Sequence, residues 1–308
     1  MAGYVVRRVL WLAPLLWAIA TITFFLMHAA PGGPFDREKR LSDETIRNLE
    51  EKYSLDEPLL KQYGLYLRDL LRGDLGVSVR SDRPVTELLR EALPVSAQLG
   101  AVAFVFAVIV GLALGVTAAV YHRRWPDYAG VAFATAGAAL PSFVLAGVLV
   151  TVFSVKLGWF DALGWELGNP RKMVLPALVL GLLPAAYLAR VTRASVLDAL
   201  SQEYVRTARA KGLSEVAVVA RHALRNALVP VLTLLGPMFA VLITGSFIVE
   251  RAFAINGAGS YFVDSVFGRD YRLIMTTTLL YATVVAVANL VVDVLYAVID
   301  PRVRYGAS

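Results

Sequence analysis

Apolar positions along the chain gather into long runs separated by short basic segments and one long charged stretch. A helical run of about twenty residues, at ~1.5 Å rise per residue, crosses a ~30 Å hydrocarbon layer. Six runs reach that length, at roughly 9–27, 95–120, 128–157, 173–190, 228–249 and 273–299. The first is longer than the ~7–15-residue core of a signal peptide, and further spans follow it, so it reads as an uncleaved anchor helix. The pattern predicts an all-α polytopic membrane protein of about six transmembrane helices. It divides into a first span (1–29), a polar segment (30–94) and a five-helix core (95–308).

The 30–94 segment is amphipathic rather than apolar. Ser42 can cap a helix whose one face carries Ile46, Leu49 and Tyr53. Asp56 and Pro58 start a second, with a stripe of Leu59, Leu60, Tyr63, Leu67, Leu70 and Leu71, which Gly73 ends. Asp82 and Pro84 start a third, carrying Val85, Leu88 and Leu89. All three are too polar to span, and they predict a small extracytoplasmic cap.

Helix breakers crowd the later spans. The fourth holds Pro176, Gly181 and Pro184; the fifth holds Pro230, Gly236, Pro237 and Gly245. Such residues are tolerated in a bilayer where neighbours or a water-lined path satisfy the freed backbone groups. Pro141, Pro184, Pro237 and Gly245 are therefore candidate hinges of a moving pathway, with kinked packing helices as the alternative. Gly111 and Gly115 form a Gly-xxx-Gly pair, which permits close helix approach but is frequent by chance in Gly/Ala-rich spans. No charged residue falls well inside spans two to five, whereas Asp293 lies in the sixth, near the inner surface.

The net charge of +6 raises the possibility of nucleic acid, but its distribution answers otherwise. With the N-terminus inside, the inner segments carry thirteen Lys/Arg against five Asp/Glu, while 30–94 carries eleven against thirteen. That is the positive-inside asymmetry of a membrane protein, with both termini cytoplasmic. Cysteine is absent, so disulfides and thiolate chemistry are excluded. His28, His122 and His222 are too scattered to suggest a metal site.

The inner segment at 191–227 is long and patterned. Its first half reads as helix with Lys211 near the C-terminus, Gly212 suits the left-handed residue that follows, and Leu213 supplies the accompanying apolar contact. Ser214 can cap a new helix with Glu215 in its first turn. Ala208 and Ala210 keep the surface near the bend small, so that another protein can approach. Arg209, Lys211 and Arg225 offer charge for pairing. A solvated basic loop needed only for topology is the plainer alternative.

This loop resembles the EAA loop of permease subunits in binding-protein-dependent ATP-binding-cassette importers. Aligned on Gly212, Ala208 matches the third position of Glu-Ala-Ala and Leu224 matches the Leu of Ile-x-Leu-Pro. Arg206 and Thr207 replace Glu-Ala, His222 replaces Ile and Arg225 replaces Pro. Residues 204–213 and 221–230 are similar, almost position for position, to the version in the peptide-permease branch. The oligopeptide permease B type is resembled along the whole chain, at 30–35, 73–76, 93–97, 141–144, 245–246, 269–271 and 292–302. One departure is Ala254-Ile-Asn-Gly257-Ala-Gly259, where the family often has a Gly-Leu-Pro-Gly-Ile-Gly-like turn.

The resemblance implies a type I importer permease in the bacterial cytoplasmic membrane. Its implied partners are a similar second permease, two ATPase subunits that use ATP and Mg, an extracytoplasmic peptide-binding protein, peptide cargo and membrane lipid. Ala208 and Gly212 become close-approach residues to an ATPase, and Leu224 the matching apolar position. Glu203, Arg206, Arg209, Lys211, His222 and Arg225 become candidate polar contacts. Asn256, Gly257 and Gly259 become candidate contacts to the binding protein. No Gly-x-x-x-x-Gly-Lys-Ser/Thr loop is present, so no cofactor or catalytic residue is expected in this chain. A membrane hydrolase lacks a His-Glu-x-x-His or nucleophile pattern here, and a passive channel gives the 191–227 loop no purpose. Dipeptide, glutathione and nickel-chelate importers share the architecture.

Overall fold

The computed structural model describes residues 2–32 and 54–299, with side chains described over 6–32 and 54–291. The expected Ser42-capped helix lies outside the described residues, as does the Asp293 side chain. Among the described residues the regular structure is helical, apart from an isolated antiparallel bridge between Val77 and Pro84. In chain order the helices are α1 (Ala2–Ala29), α2 (Leu59–Leu71), α3 (Val85–Val120), α4 (Trp125–Ala139) and α5 (Ser142–Leu149). A π-helical stretch Val150–Lys156 extends α5. Then come α6 (Pro170–Ser201), α7 (Glu203–Ala210) and α8 (Glu215–Ala217), the last running through a π-helical Val218–Ala223 into α9 (Leu224–Ile243). The chain closes with α10 (Phe247–Ala252), α11 (Ala258–Gly268) and α12 (Tyr271–Ile299).

Five helices are long and apolar enough to cross a membrane, and a sixth crossing requires α4 and α5 to count as one. These two meet at 106° across Leu140 and Pro141. Proline crowds the preceding residue out of the helical region, and Leu140 is accordingly extended at φ −86, ψ 121. The uninterrupted run at 128–157 is therefore a broken segment rather than one straight span. The third amphipathic helix is also corrected: Val85, Leu88 and Leu89 open α3, which continues through Pro94 to Val120 without a break.

Among the described residues the chain folds as two compact units, one from Ala2–Leu93 with Tyr261–Val284, the other from Pro94–Ser260 with residues 285–299. In the first, Ala20 and Phe24 of α1 are buried with Tyr66, Met275 and Leu279. Gly73, at φ +76, ends α2 as its position suggested. Asp270 explains the Arg269-Asp-Tyr271 motif: its Oδ1 accepts from the Leu273 N–H at the start of α12, and its Oδ2 accepts from the Ser78 hydroxyl.

In the second unit the helices approach through glycines. A Cβ on Gly115 would lie 2.5 Å from Thr192 Cβ, and one on Gly111 2.8 Å from Leu188 Cβ. The Gly-xxx-Gly pair thus seats α3 on α6 within the chain. Gly181 of α6 answers against Ala103 and Phe106 of α3, and a Cβ on Gly100 would collide with the Leu242 carbonyl of α9. Lipid supplies no hydrophobic drive between helices, so close backbone contact must.

Candidate functional site

Two clusters in the Pro94–Ser260 unit carry the residues singled out above. The first is the hairpin at 203–217. Asn169 accepts from the Arg171 N–H and, with Pro170 behind it, starts α6. The helix then runs on to Ser201, so the helix expected over the first half of 191–227 is present but broken at Gln202. Gln202 is extended and turns the chain into α7. Lys211 caps α7, Gly212 sits at φ +79, and the Ser214 hydroxyl oxygen accepts from the Ala217 N–H.

The hairpin has a core of its own, formed by Val205, Ala208 and Val218 with Leu200 beside them. Ala208 is 4% exposed. This corrects its expected role: the small side chain admits the chain's own second helix, not an outside partner. Arg209 donates from Nε to Glu215 Oε1 at 2.7 Å, which ties the two arms across the bend, and Arg206 pairs with Glu203 on α7. Lys211 and Arg225 are exposed and make no ion pair among the described residues. Leu224 packs against the buried Val196, Ala199 and Ala227, and His222 is half-buried.

One helical end away, Arg193 of α6 grips Asp127 of α4. Its Nε donates to Oδ1 at 2.6 Å and its Nη2 to Oδ2 at 2.9 Å. The Arg123 N–H and His122 Nδ1 also meet Oδ2. Bidentate pairing of this kind fixes direction as well as distance. Both residues read from the sequence only as inner-side charges.

The second cluster surrounds Glu250, which is fully buried although α10 lies outside the long apolar helices. Its Oε1 accepts from the Ser96 hydroxyl of α3 at 2.8 Å, and its Oε2 accepts from the Ser260 N–H at 3.0 Å. The Gly259 and Ser246 N–H groups point at the same carboxyl. Ser96 in turn accepts from the Ala258 N–H. Side chains on Gly245, at φ +82, and on Gly257 or Gly259 would strike the carboxyl oxygens. Burial pushes the Glu250 carboxyl up from its ordinary value against these donors.

Gly257 and Gly259 are thereby removed as surface contacts: both are buried beneath the turn, and only Asn256 of that trio is exposed. Three motifs that read separately, at 93–97, 245–246 and 254–259, belong to one site. Glu250 itself was missed, its one sequence signal being a lone acid between glycine-rich turns. Of the candidate hinges, Pro141 stands at the α4–α5 bend and Gly245 follows the end of α9, while Pro184 and Pro237 lie inside continuous helices.

Family models match nearly the whole chain. Residues 111–305 match "Binding-protein-dependent transport system inner membrane component", and residues 1–100 match its N-terminal membrane component. The oligopeptide transport system permease protein OppB of Haemophilus influenzae is 44% identical over 307 residues, 99% of this chain and 100% of that protein. The dipeptide transport system permease protein DppB of Bacillus subtilis is 43% identical over 305 residues, covering 99% and 98%. The glutathione transport system permease protein GsiC of Escherichia coli is 41% identical over 307 residues, covering 99% and 100%. Among solved structures, the inward-facing MetNI methionine ABC transporter aligns with TM-score 0.58 at 17% identity, over 70% of this chain and 97% of that one. An amino acid ABC transporter with histidines aligns with TM-score 0.54 at 18% identity, over 68% and 93%. At those identities the likeness is one of fold.

Proposed function

Since the chain belongs to the family of inner membrane components of binding-protein-dependent transport systems, we propose that it is the permease subunit of an ATP-binding-cassette importer for oligopeptides. Cargo arrives on an extracytoplasmic binding protein and passes between this chain and a similar second permease. The dipeptide and glutathione relatives keep the cargo class within peptides. Both termini and the 191–227 segment are cytoplasmic on the positive-inside rule, which puts residues 30–94 and 244–260 on the opposite side.

The single observation that carries the coupling reading is the 203–217 hairpin, which has its own core and ion-paired arms and presents Lys211 at its bend, with Arg225 exposed at the start of α9, neither in an ion pair among the described residues. A surface built that way is rigid enough to be pushed and charged enough to be recognised. Two ATPase subunits use ATP and Mg, and this chain performs no bond chemistry. When the ATPases close, the hairpin moves and α6 moves with it. That is a two-state element biased by a ligand.

The test is copurification from native membrane in mild detergent. Wild type brings down a second permease and two ATPases. Lys211→Glu with Arg225→Glu keeps the second permease and loses the ATPases, because both charges now oppose the partner's. A wild-type chain that purifies alone overturns the reading.

A further inference from the structure

The glutamate at the end of the bundle opposite the hairpin is used by nothing described so far. It is fully buried, it is held by the Ser96 hydroxyl and the Ser260 N–H with the Gly259 and Ser246 N–H groups turned toward it, and glycines stand where side chains would displace it. A buried carboxyl is costly to keep unless it is needed where it is. What this one holds is the hairpin from Thr244 to Ser260. Glu250 joins the start of α10 (the Ser246 N–H), the start of α11 (the Gly259 and Ser260 N–H groups) and the side of α3 (Ser96). Its own carbonyl accepts from the Ile255 N–H, closing the turn from inside.

The outer side of the same turn differs. Phe253 and Ile255 are buried, 1% exposed each, so they point inward, while Ala254 and Asn256, which alternate with them, are exposed. Ala254 sits at φ +49, a left-handed conformation that a non-glycine residue holds only where its surroundings impose it. The Phe253 carbonyl accepts from the Gly164 N–H of the segment between α5 and α6, a second clamp on the apex. The arrangement is a short exposed apex of set geometry, with a carboxyl anchoring it from beneath.

We infer that Glu250 is a positioning residue of the importer: it anchors the 244–260 hairpin to Ser96 of α3 and so fixes the exposed apex, Ala254 and Asn256, in the shape that the binding protein meets. This rests on the reading above that a binding protein delivers the cargo. Glu250 touches neither cargo nor binding protein. It acts through the backbone it holds.

The test uses the complete complex with its second permease and ATPases in lipid nanodiscs. ATP hydrolysis is titrated with the peptide-loaded binding protein of the same system. Glu250→Ala removes the acceptor of the Ser96 hydroxyl and the Ser260 N–H. It is expected to raise the half-saturating concentration of binding protein at least tenfold while the maximal rate falls less than twofold. Glu250→Gln, which keeps the volume and one acceptor oxygen, is expected between Ala and wild type. Asn256→Arg leaves the cage untouched and is expected to raise the half-saturating concentration as well, which keeps the test open if Glu250→Ala assembles poorly. A maximal rate that collapses at unchanged half-saturation in Glu250→Gln overturns the inference, as does an unmoved half-saturation in Asn256→Arg. Either result leaves the importer reading standing so long as wild type responds to the binding protein. A wild-type complex that no loaded binding protein stimulates overturns both.

Discussion

Ala208 is 4% exposed and touches Val205, Val218 and Leu200, so its methyl group fills the space between the two arms of the hairpin. Aspartate there buries a charge with no partner, a cost of about 3–5 kcal/mol by comparison with broken buried pairs. The hairpin is expected to open in Ala208→Asp, losing hydrogen-exchange protection over 203–223, whereas Lys211→Glu keeps that protection and loses only the partner. Equal protection in the two variants would remove Ala208 from the hairpin core. Glu250 offers a different residue-scale measurement. Its carboxyl is raised by burial, so the folded chain binds the proton more tightly than the unfolded chain does. The stability this contributes is complete below the ordinary carboxylate range and is lost as pH rises through the folded value. Thermal midpoints of wild type are therefore expected to fall with rising pH more steeply than those of Glu250→Gln, which has no proton to lose. Parallel slopes would mean that the carboxyl is ionised in place.

Between elements, glycines set the spacing of α3, α6 and α9, and each glycine has its own expected response to a methyl group. A Cβ on Gly100 collides with the Leu242 backbone, which cannot rotate away. Gly100→Ala is expected to lower the thermal midpoint or prevent assembly. Gly64 of α2 is exposed with nothing within 4 Å of a Cβ, and Gly64→Ala is expected to stabilise by roughly 0.5–1 kcal/mol through helix propensity alone. Differential scanning fluorimetry of the two variants distinguishes a packing glycine from a flexible one. The same elements explain what a reader of the sequence can find. The 203–217 bend was legible because its signals are local: a basic last turn at Arg209, a glycine at 212 and a capping serine at 214. The α4–α5 bend was legible only in part: Pro141 marked a hinge, but apolar continuity records length and carries no direction, so the run still read as one span. The polar segment was expected to end at 94 with a new span from 95, yet α3 runs through Pro94. The Glu250 cage was illegible for a deeper reason. Ser96 lies 154 residues away, and three of the other participants are glycines whose contribution is the side chain they lack.

At the scale of the whole molecule, a push on the hairpin does transport work only if it reaches the pathway. The route on offer runs from α7 into α6, then through Arg193 to Asp127, and along α4 to the bend at Leu140 and Pro141. Asp127 is 3% exposed and opens α4 directly, so a displacement of α6 carries the start of α4 with it rather than sliding past. The contact of Gly137 on α4 with Leu182 and Ala186 of α6 alone would permit such sliding, since it is smooth. Truncating Arg193 leaves the buried Asp127 carboxylate with only the Arg123 N–H and His122 facing it. Arg193→Ala and Asp127→Ala are each expected to reduce peptide uptake per ATP hydrolysed in proteoliposomes, with the ATPases still bound. The double variant Arg193→Met with Asp127→Leu removes both charges and restores apolar contact. It is expected to assemble better than either single variant yet remain uncoupled, because the direction imposed by the bidentate pair is gone. If it transports as efficiently as wild type, the pair contributes only stability, and the hairpin's motion reaches the pathway through α6 alone.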